Sequence, residues 1–263
     1  MTHRRPVRTI MRSLLYPLAL LALHLAAQPA AAQSIILRPA AVPLKGDIGQ
    51  SVTQTLTMQN ETDVALEFDI QAQDVVVQGG KRVFVEAGRV PGSIAATAVV
   101  EPRSVRVEPH SSASAKVMFT LPAGMQHRAV VALFKAKTPV QAGNRKAFLS
   151  LGTLFTFQIS DGVSVNGKFA AKPPSGNANA VFECTLVNDG AEPVVPSGVA
   201  VLMDSQSRLV AKAPFTSKRL LPGESGTLVA EYPGDLDHGE YRALATFDIG
   251  GKPYTLTSQL LVP

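Results

Sequence analysis

The chain has 263 residues and a formal net charge of +5, from 25 Lys+Arg against 20 Asp+Glu. Four arginines (Arg4, Arg5, Arg8 and Arg12) fall in the first 32 residues, where no acid occurs, which leaves 21 basic and 20 acidic residues beyond them. That near-neutral remainder argues against a nucleic-acid binder, the absence of tryptophan argues against sugar stacking, and a single cysteine rules out an internal disulfide.

In chain order, "MTHRRPVRTIMR" is followed by the 15-residue apolar run "SLLYPLALLALHLAA" and then by the small residues of "AQPAAAQ". This is the layout of a Sec signal peptide over residues 1–32, cleaved after Ala32, with a periplasmic destination. The alternative is an uncleaved N-terminal anchor, but the apolar run falls short of the ~20 residues that span a bilayer, so no membrane span is expected in the mature chain, which begins at Gln33.

Beyond residue 33 short alternating runs recur between turn residues, the pattern of β-sandwiches rather than helices. "SVTQTLTMQN" sets Val52, Gln54, Leu56 and Met58 on one face, and "VALEFDIQAQ" sets Leu66, Phe68 and Ile70 against Glu67, Asp69 and Gln71. "VVVQGGKRVFVEAGRVPGS" reads as a hairpin turning at Gly79-Gly80. "VEPHSSASAKVMFTLPAGMQHRAVVALF" (Val107 to Phe134) then has an echo in "LLPGESGTLVAEYPGDLDHGEYRALATF" (Leu220 to Phe247). Upstream of each copy a strand ends in an asparagine, Asn60 and Asn188, a residue suited to turns. Asn60 precedes Pro109 by 49 positions and Asn188 precedes Pro222 by 34, so the first copy carries roughly 15 extra residues, assigned here to the Gly79-Gly80 hairpin. Between the copies, "KAFLSLGTLFTFQIS" (Lys146 to Ser160) is the longest uninterrupted β-prone run. It is followed by "ISDGVSVNG", which places the domain boundary near Asp161. The chain is therefore expected to be all-β: two tandem immunoglobulin-like β-sandwiches, residues 33–161 and 162–263, after the signal peptide.

Chemistry-bearing motifs are sparse. Beyond the leader the histidines are His110, His127 and His238, and His127 occupies the place of Tyr241 in the repeat. "GDLDHGE" gathers Asp235, Asp237, His238 and Glu240, but the spacing matches no calcium loop and reads as a solvated turn. No nucleophile elbow, Cys/His couple or phosphate loop occurs, so no enzyme, cofactor or metal is expected. Cys184 alternates with Phe182 and Leu186 in "VFECTLVN" and is expected to be a buried core thiol.

Residues 34 to 160 resemble the N-terminal domain of periplasmic pilus chaperones of the PapD-like family. The resemblance is carried by "SIILRPAAVPLKGDIGQSVTQTLTMQN", "VVEPRSVRVEPHSSASAKVMF", "HRAVVALFKAKTP" and "NRKAFLSLGTLFTFQI". The second module is more similar to Ig-like modules of uncharacterised bacterial exported proteins. The resemblance implies a non-enzymatic periplasmic chaperone that binds an extended segment of a pilin-like or other surface subunit by strand addition. It also implies that Arg38 and Lys146, or Arg145 in place of Lys146, grip a terminal carboxylate. On the long strand Phe148 and Leu154 face away from the core side and are expected to meet the partner, close to a sheet edge. The alternative is a structural or adhesive exported module with no chaperone activity.

Overall fold

The computed structural model describes residues 34–142, 145–175 and 179–263; the leader expected over residues 1–32 lies outside them. In chain order the first sandwich contains β1 (Ile35–Arg38), β2 (Ala41–Lys45), β3 (Ser51–Asn60), β4 (Leu66–Gln78), β5 (Lys81–Glu86), a 3₁₀ turn (Ala95–Thr97), β6 (Val99–Glu101), β7 (Ser104–Val107), β8 (Ser111–Thr120), β9 (Ala129–Ala136), the short pair β10 (Val140–Ala142) and β11 (Arg145–Ala147), and β12 (Ser150–Gln158). The second contains β13 (Val165–Lys172), β14 (Ala180–Asn188), β15 (Ser197–Met203), β16 (Leu209–Pro214), β17 (Ser225–Tyr232), β18 (Gly239–Ile249) and β19 (Lys252–Val262).

One sheet of the first sandwich runs β1-β3-β8-β6; the other runs β2-β12-β9-β4-β5, with β7 also paired to β4. The second sandwich repeats this order as β13-β14-β17 facing β16-β15-β18-β19. The duplicated sequence is thus a duplicated topology. The match also corrects the source of the extra residues. The β4–β5 hairpin has its counterpart in β15–β16, so it is not the insertion. The extra length lies between β5 and β8 (residues 87–110), where the second sandwich spends only residues 215–224. The hairpin itself turns at Gly79 and Gly80, whose φ values of 57° and 75° meet the demand of a two-residue turn for positive φ at both positions.

Alternation decides burial as expected. Leu56, Met58, Leu66, Phe68, Ile70, Phe119, Phe155 and Phe157 fill the first core, and Phe119 meets Phe155 edge-to-face at 4.9 Å. Phe182, Cys184, Leu186, Phe215 and Phe247 fill the second, with Phe215 and Phe247 at 4.8 Å. Each fully buried phenylalanine contributes about 1.5–3 kcal/mol relative to exposure. Burial also pushes the Cys184 thiol up to about 11.

Asn60 and Asn188 act as hubs rather than as simple turn formers, and both are completely buried. The Asn60 Nδ2 donates to the carbonyls of Val64 (2.8 Å), Val107 (3.1 Å) and Glu108 (3.2 Å), while its Oδ1 accepts from the N–H and hydroxyl of Thr62. The Asn188 Nδ2 donates to the carbonyls of Glu192 and Leu220, and its Oδ1 accepts from the Gly190 N–H. Each ties the end of one strand to the turn that opens the repeated segment. In the second sandwich the Tyr241 hydroxyl donates to the Asp237 carbonyl at 2.8 Å, a tyrosine-corner bond across the "GDLDHGE" turn.

Candidate functional site

The long β-prone run does not form one strand: it breaks at Phe148 and Leu149 into β11 and β12. β12 pairs with β9 from Ser150 to Thr156, but with β2, in parallel, only from Leu154 to Gln158. Its last half is therefore mid-sheet, and its first half, Ser150–Thr153, has a neighbour on one side only among the described residues. The Phe157 N–H is bonded to the Arg128 carbonyl and the Leu149 carbonyl to the Ala136 N–H, which points the odd-numbered residues at β9. The Leu154 N–H donates to the Ala40 carbonyl on the opposite side, so the even-numbered residues face the β2 side. Ser150 and Gly152, both exposed, consequently present their backbone N–H and C=O groups at an open edge.

The expected partner-facing residues distribute around this edge unevenly. Phe148 is 70% exposed just before it, and Lys146 is exposed on β11, opposite Gln141. Arg145 has its backbone in β11 and its side chain outside the described residues. Arg38 is exposed at the end of β1, paired with Thr57 in the other sheet, one residue before the Pro39 carbonyl that accepts from the Thr153 hydroxyl (2.7 Å). The two cations thus sit on different elements and share no hydrogen-bond or ion-pair partner among the described residues. Leu154 departs from expectation. It is half-buried in an apolar cluster with Val75, Ala129, Val131 and Leu221, the last of these from the second sandwich. A side chain on the outer face of this sheet is taken up by the neighbouring domain, which the sequence of the first domain does not encode.

Residues 35–263 form one compact unit, and the contact between the sandwiches is built on two buried carboxylates. Glu192, fully buried, accepts from the Ile159 N–H (3.1 Å), the Ser160 hydroxyl (2.7 Å) and Arg128 Nε (3.4 Å). Glu224 accepts from the Leu221 N–H (2.9 Å) and from Arg82 Nε (3.0 Å), and the Arg82 Nη2 donates to the Arg219 carbonyl (2.7 Å). A buried carboxylate is tolerable only with such charge-assisted partners.

Beside this contact lies a cleft lined by Ala40, Ala41, Leu154, Lys81, Arg82, Lys218, Arg219 and Glu224. Arg219 is its notable member: half-buried, it donates to the Thr156 hydroxyl (2.7 Å) and has no carboxylate partner among the described residues. Burial, and after it the charge of Arg82, pull its guanidinium below the ordinary range. Four cations and one already paired acid give the cleft a positive potential next to the open edge of β12. The sequence offered no signal for this, because Arg82 and Arg219 are 137 positions apart. Among the described residues no group of three His, Cys, Asp or Glu side chains could hold a metal ion, and no helix is long and apolar enough to cross a membrane.

In structure the chain is similar to fimbrial chaperones. The class 5 fimbriae chaperone CfaA is 15% identical with a TM-score of 0.45, over 88% of this chain and all of that one. The E. coli chaperone DraB is 16% identical with a TM-score of 0.40, over 87% of this chain and 97% of that one. A chain in the complex of Salmonella enterica SafA pilin with the SafB chaperone is 15% identical with a TM-score of 0.41, over 86% and 97%. No family model and no curated protein matches the sequence.

Proposed function

We propose that the chain is a non-enzymatic, periplasmic chaperone-like protein that holds an extended segment of a pilin-like or other exported subunit by strand addition along Ser150–Thr153. The observation that carries this reading is the half-open ladder of β12: a strand with one filled side and one exposed side, running into a cationic cleft. Ladder bonds to Ser150 and Gly152 supply affinity, and side chains lying against Phe148 and the neighbouring outer face supply selectivity. Lys146 and Arg38 flank the open segment. A client strand ending at Leu154 places its terminal carboxylate beside Arg219 and Lys218, where charge-assisted hydrogen bonds are strongest.

The test uses immobilised ten-residue peptides of alternating apolar and polar residues, each made with a free C-terminal carboxylate and with a C-terminal amide. Ser150→Pro removes an edge donor and fills the space of an added strand without deleting a bond to β9, so it is expected to weaken binding at least tenfold with folding intact. Amidation is expected to weaken binding to the native protein and to leave binding to Arg219→Ala unchanged. Peptide binding indifferent to Ser150→Pro refutes strand addition here and favours the structural or adhesive module. Binding that needs Ser150 but ignores amidation refutes the cleft assignment alone.

A further inference from the structure

A second open edge lies on the far side of the same sheet. β5, with the sequence Lys-Arg-Val-Phe-Val-Glu, pairs only with β4 among the described residues. Its centre is apolar on both faces: Phe84 is 58% and Val83 37% exposed. Sheet edges are normally blunted by shortness, proline or charge. β1 and β6 have four and three residues, β2 carries Pro43 and Lys45, β13 carries Lys168 and Lys172, β16 carries Lys212 and Pro214, and β19 carries Lys252 and Pro253. The outer side of β17 is bonded by the Thr216 N–H. β5 is charged at its ends, by Lys81, Arg82 and Glu86, and its exposed centre holds Val83 and Phe84. We propose that β5 is a self-association edge, pairing antiparallel with the β5 of a second copy of this chain about a two-fold axis at Phe84.

The register follows from parity and charge. The two-residue turn makes Gln78 and Lys81 the closing pair of the hairpin, so Lys81, Val83 and Val85 direct their backbone groups at β4. Arg82, Phe84 and Glu86 direct theirs outward. Of these outward groups the Glu86 carbonyl accepts from the Arg89 N–H (3.2 Å), and it keeps a second lone pair. Opposed residues in an antiparallel pair share the same hydrogen-bonding state, so outward residues must face outward residues. Setting Phe84 against its own copy places Arg82 opposite Glu86 twice on one face, and Val83 opposite Val85 twice on the other. Shifting by one allowed step sets Arg82 or Glu86 against Phe84 and loses the ion pairs. Arg82 can serve, because its Nε and Nη2 are engaged with the second sandwich while its Nη1 makes no hydrogen bond among the described residues. Glu86 gives up only an exposed 3.6 Å pair with Arg89, a contact of little worth. Seeding β5 against its copy joins the two β2-β12-β9-β4-β5 sheets into one and leaves the Ser150–Thr153 edge of each copy open.

A six-residue edge buries on the order of 1,000 Å² in total, the small end of specific interfaces, so a dissociation constant in the micromolar range or weaker is expected. Sedimentation equilibrium of the purified protein from about 1 µM to about 500 µM is expected to show a reversible monomer–dimer equilibrium. Phe84→Lys is expected to remain monomeric throughout, and Glu86→Arg, at an exposed position, to weaken dimerisation at least tenfold. Under mild oxidation Phe84→Cys is expected to cross-link to itself faster than Ile48→Cys, a similarly exposed control, because opposed Cα atoms about 5.5 Å apart fall within disulfide range. A native protein that stays monomeric over the whole range overturns the proposal. So does a dimer that forms equally well with Glu86→Arg, whatever Phe84→Lys does to folding.

Discussion

Replacing Asn60 by alanine tests whether the buried asparagine hubs hold the duplicated sandwich together. The substitution removes five hydrogen bonds, and three of them, to the Val107 carbonyl and to the N–H and hydroxyl of Thr62, lie in buried surroundings. The groups nearer the surface, the carbonyls of Val64 and Glu108, regain water. A buried group left without a partner costs about 1–3 kcal/mol, and the hydroxyl can rotate to the Val64 carbonyl it already touches, so the loss is about 3–4 kcal/mol. For a sandwich of this size that is a fall in Tm of about 12–16 °C. Asn188→Ala, which strands fewer groups, is expected to cost about 2–3 kcal/mol in the second sandwich. Asn60→Asp keeps the acceptor and aims a carboxylate at three carbonyl oxygens, which raises its folded-state pKa above the ~3.9 of the unfolded chain. Its stability is therefore highest below the unfolded pKa and falls as pH rises through the folded one. Urea titrations followed by far-UV circular dichroism at acidic and neutral pH measure all of this. A cost below about 1 kcal/mol for Asn60→Ala, or an Asn60→Asp variant that gains stability as pH rises, refutes the hub reasoning.

Cys184, fully buried and with its thiol pushed up to about 11, is expected to resist thiol reagents at pH 8 until denaturant is added; labelling of the native protein within minutes contradicts its placement in the core. Asp74 is buried and accepts from the Ser93 hydroxyl (2.5 Å) and from the N–H groups of Ile94 (2.9 Å) and Ala95 (3.0 Å). Asp74→Ala is expected to destabilise the first sandwich by about 2–4 kcal/mol and to open the segment after β5 to proteolysis near Arg89, and an unchanged digestion pattern refutes that anchoring role.

Local periodicity and turn chemistry made much of the sandwich legible in the amino-acid sequence. The alternation of Leu66, Phe68 and Ile70 specifies which face of β4 is buried, because a strand puts successive side chains on opposite faces whatever surrounds it. The Gly-Gly turn was legible from local chemistry, and the repeat made the second sandwich readable from the first, whereas Asn60 and Asn188 read as turn residues and became buried hubs only in the fold. Which strand of each sheet lies at an edge, and what covers its outer face, emerges only from long-range packing. Among the described residues β12 is open over Ser150–Thr153 and closed from Leu154 onward because β1 ends and β2 begins across Pro39 and Ala40, a pairing between segments more than a hundred residues apart. Leu154 is covered because Leu221 of the other domain descends on it, and Arg82 and Arg219 become one cationic cleft only when the two sandwiches meet. Such contacts are long-range in sequence and short-range in space, and no residue in either partner segment announces the other.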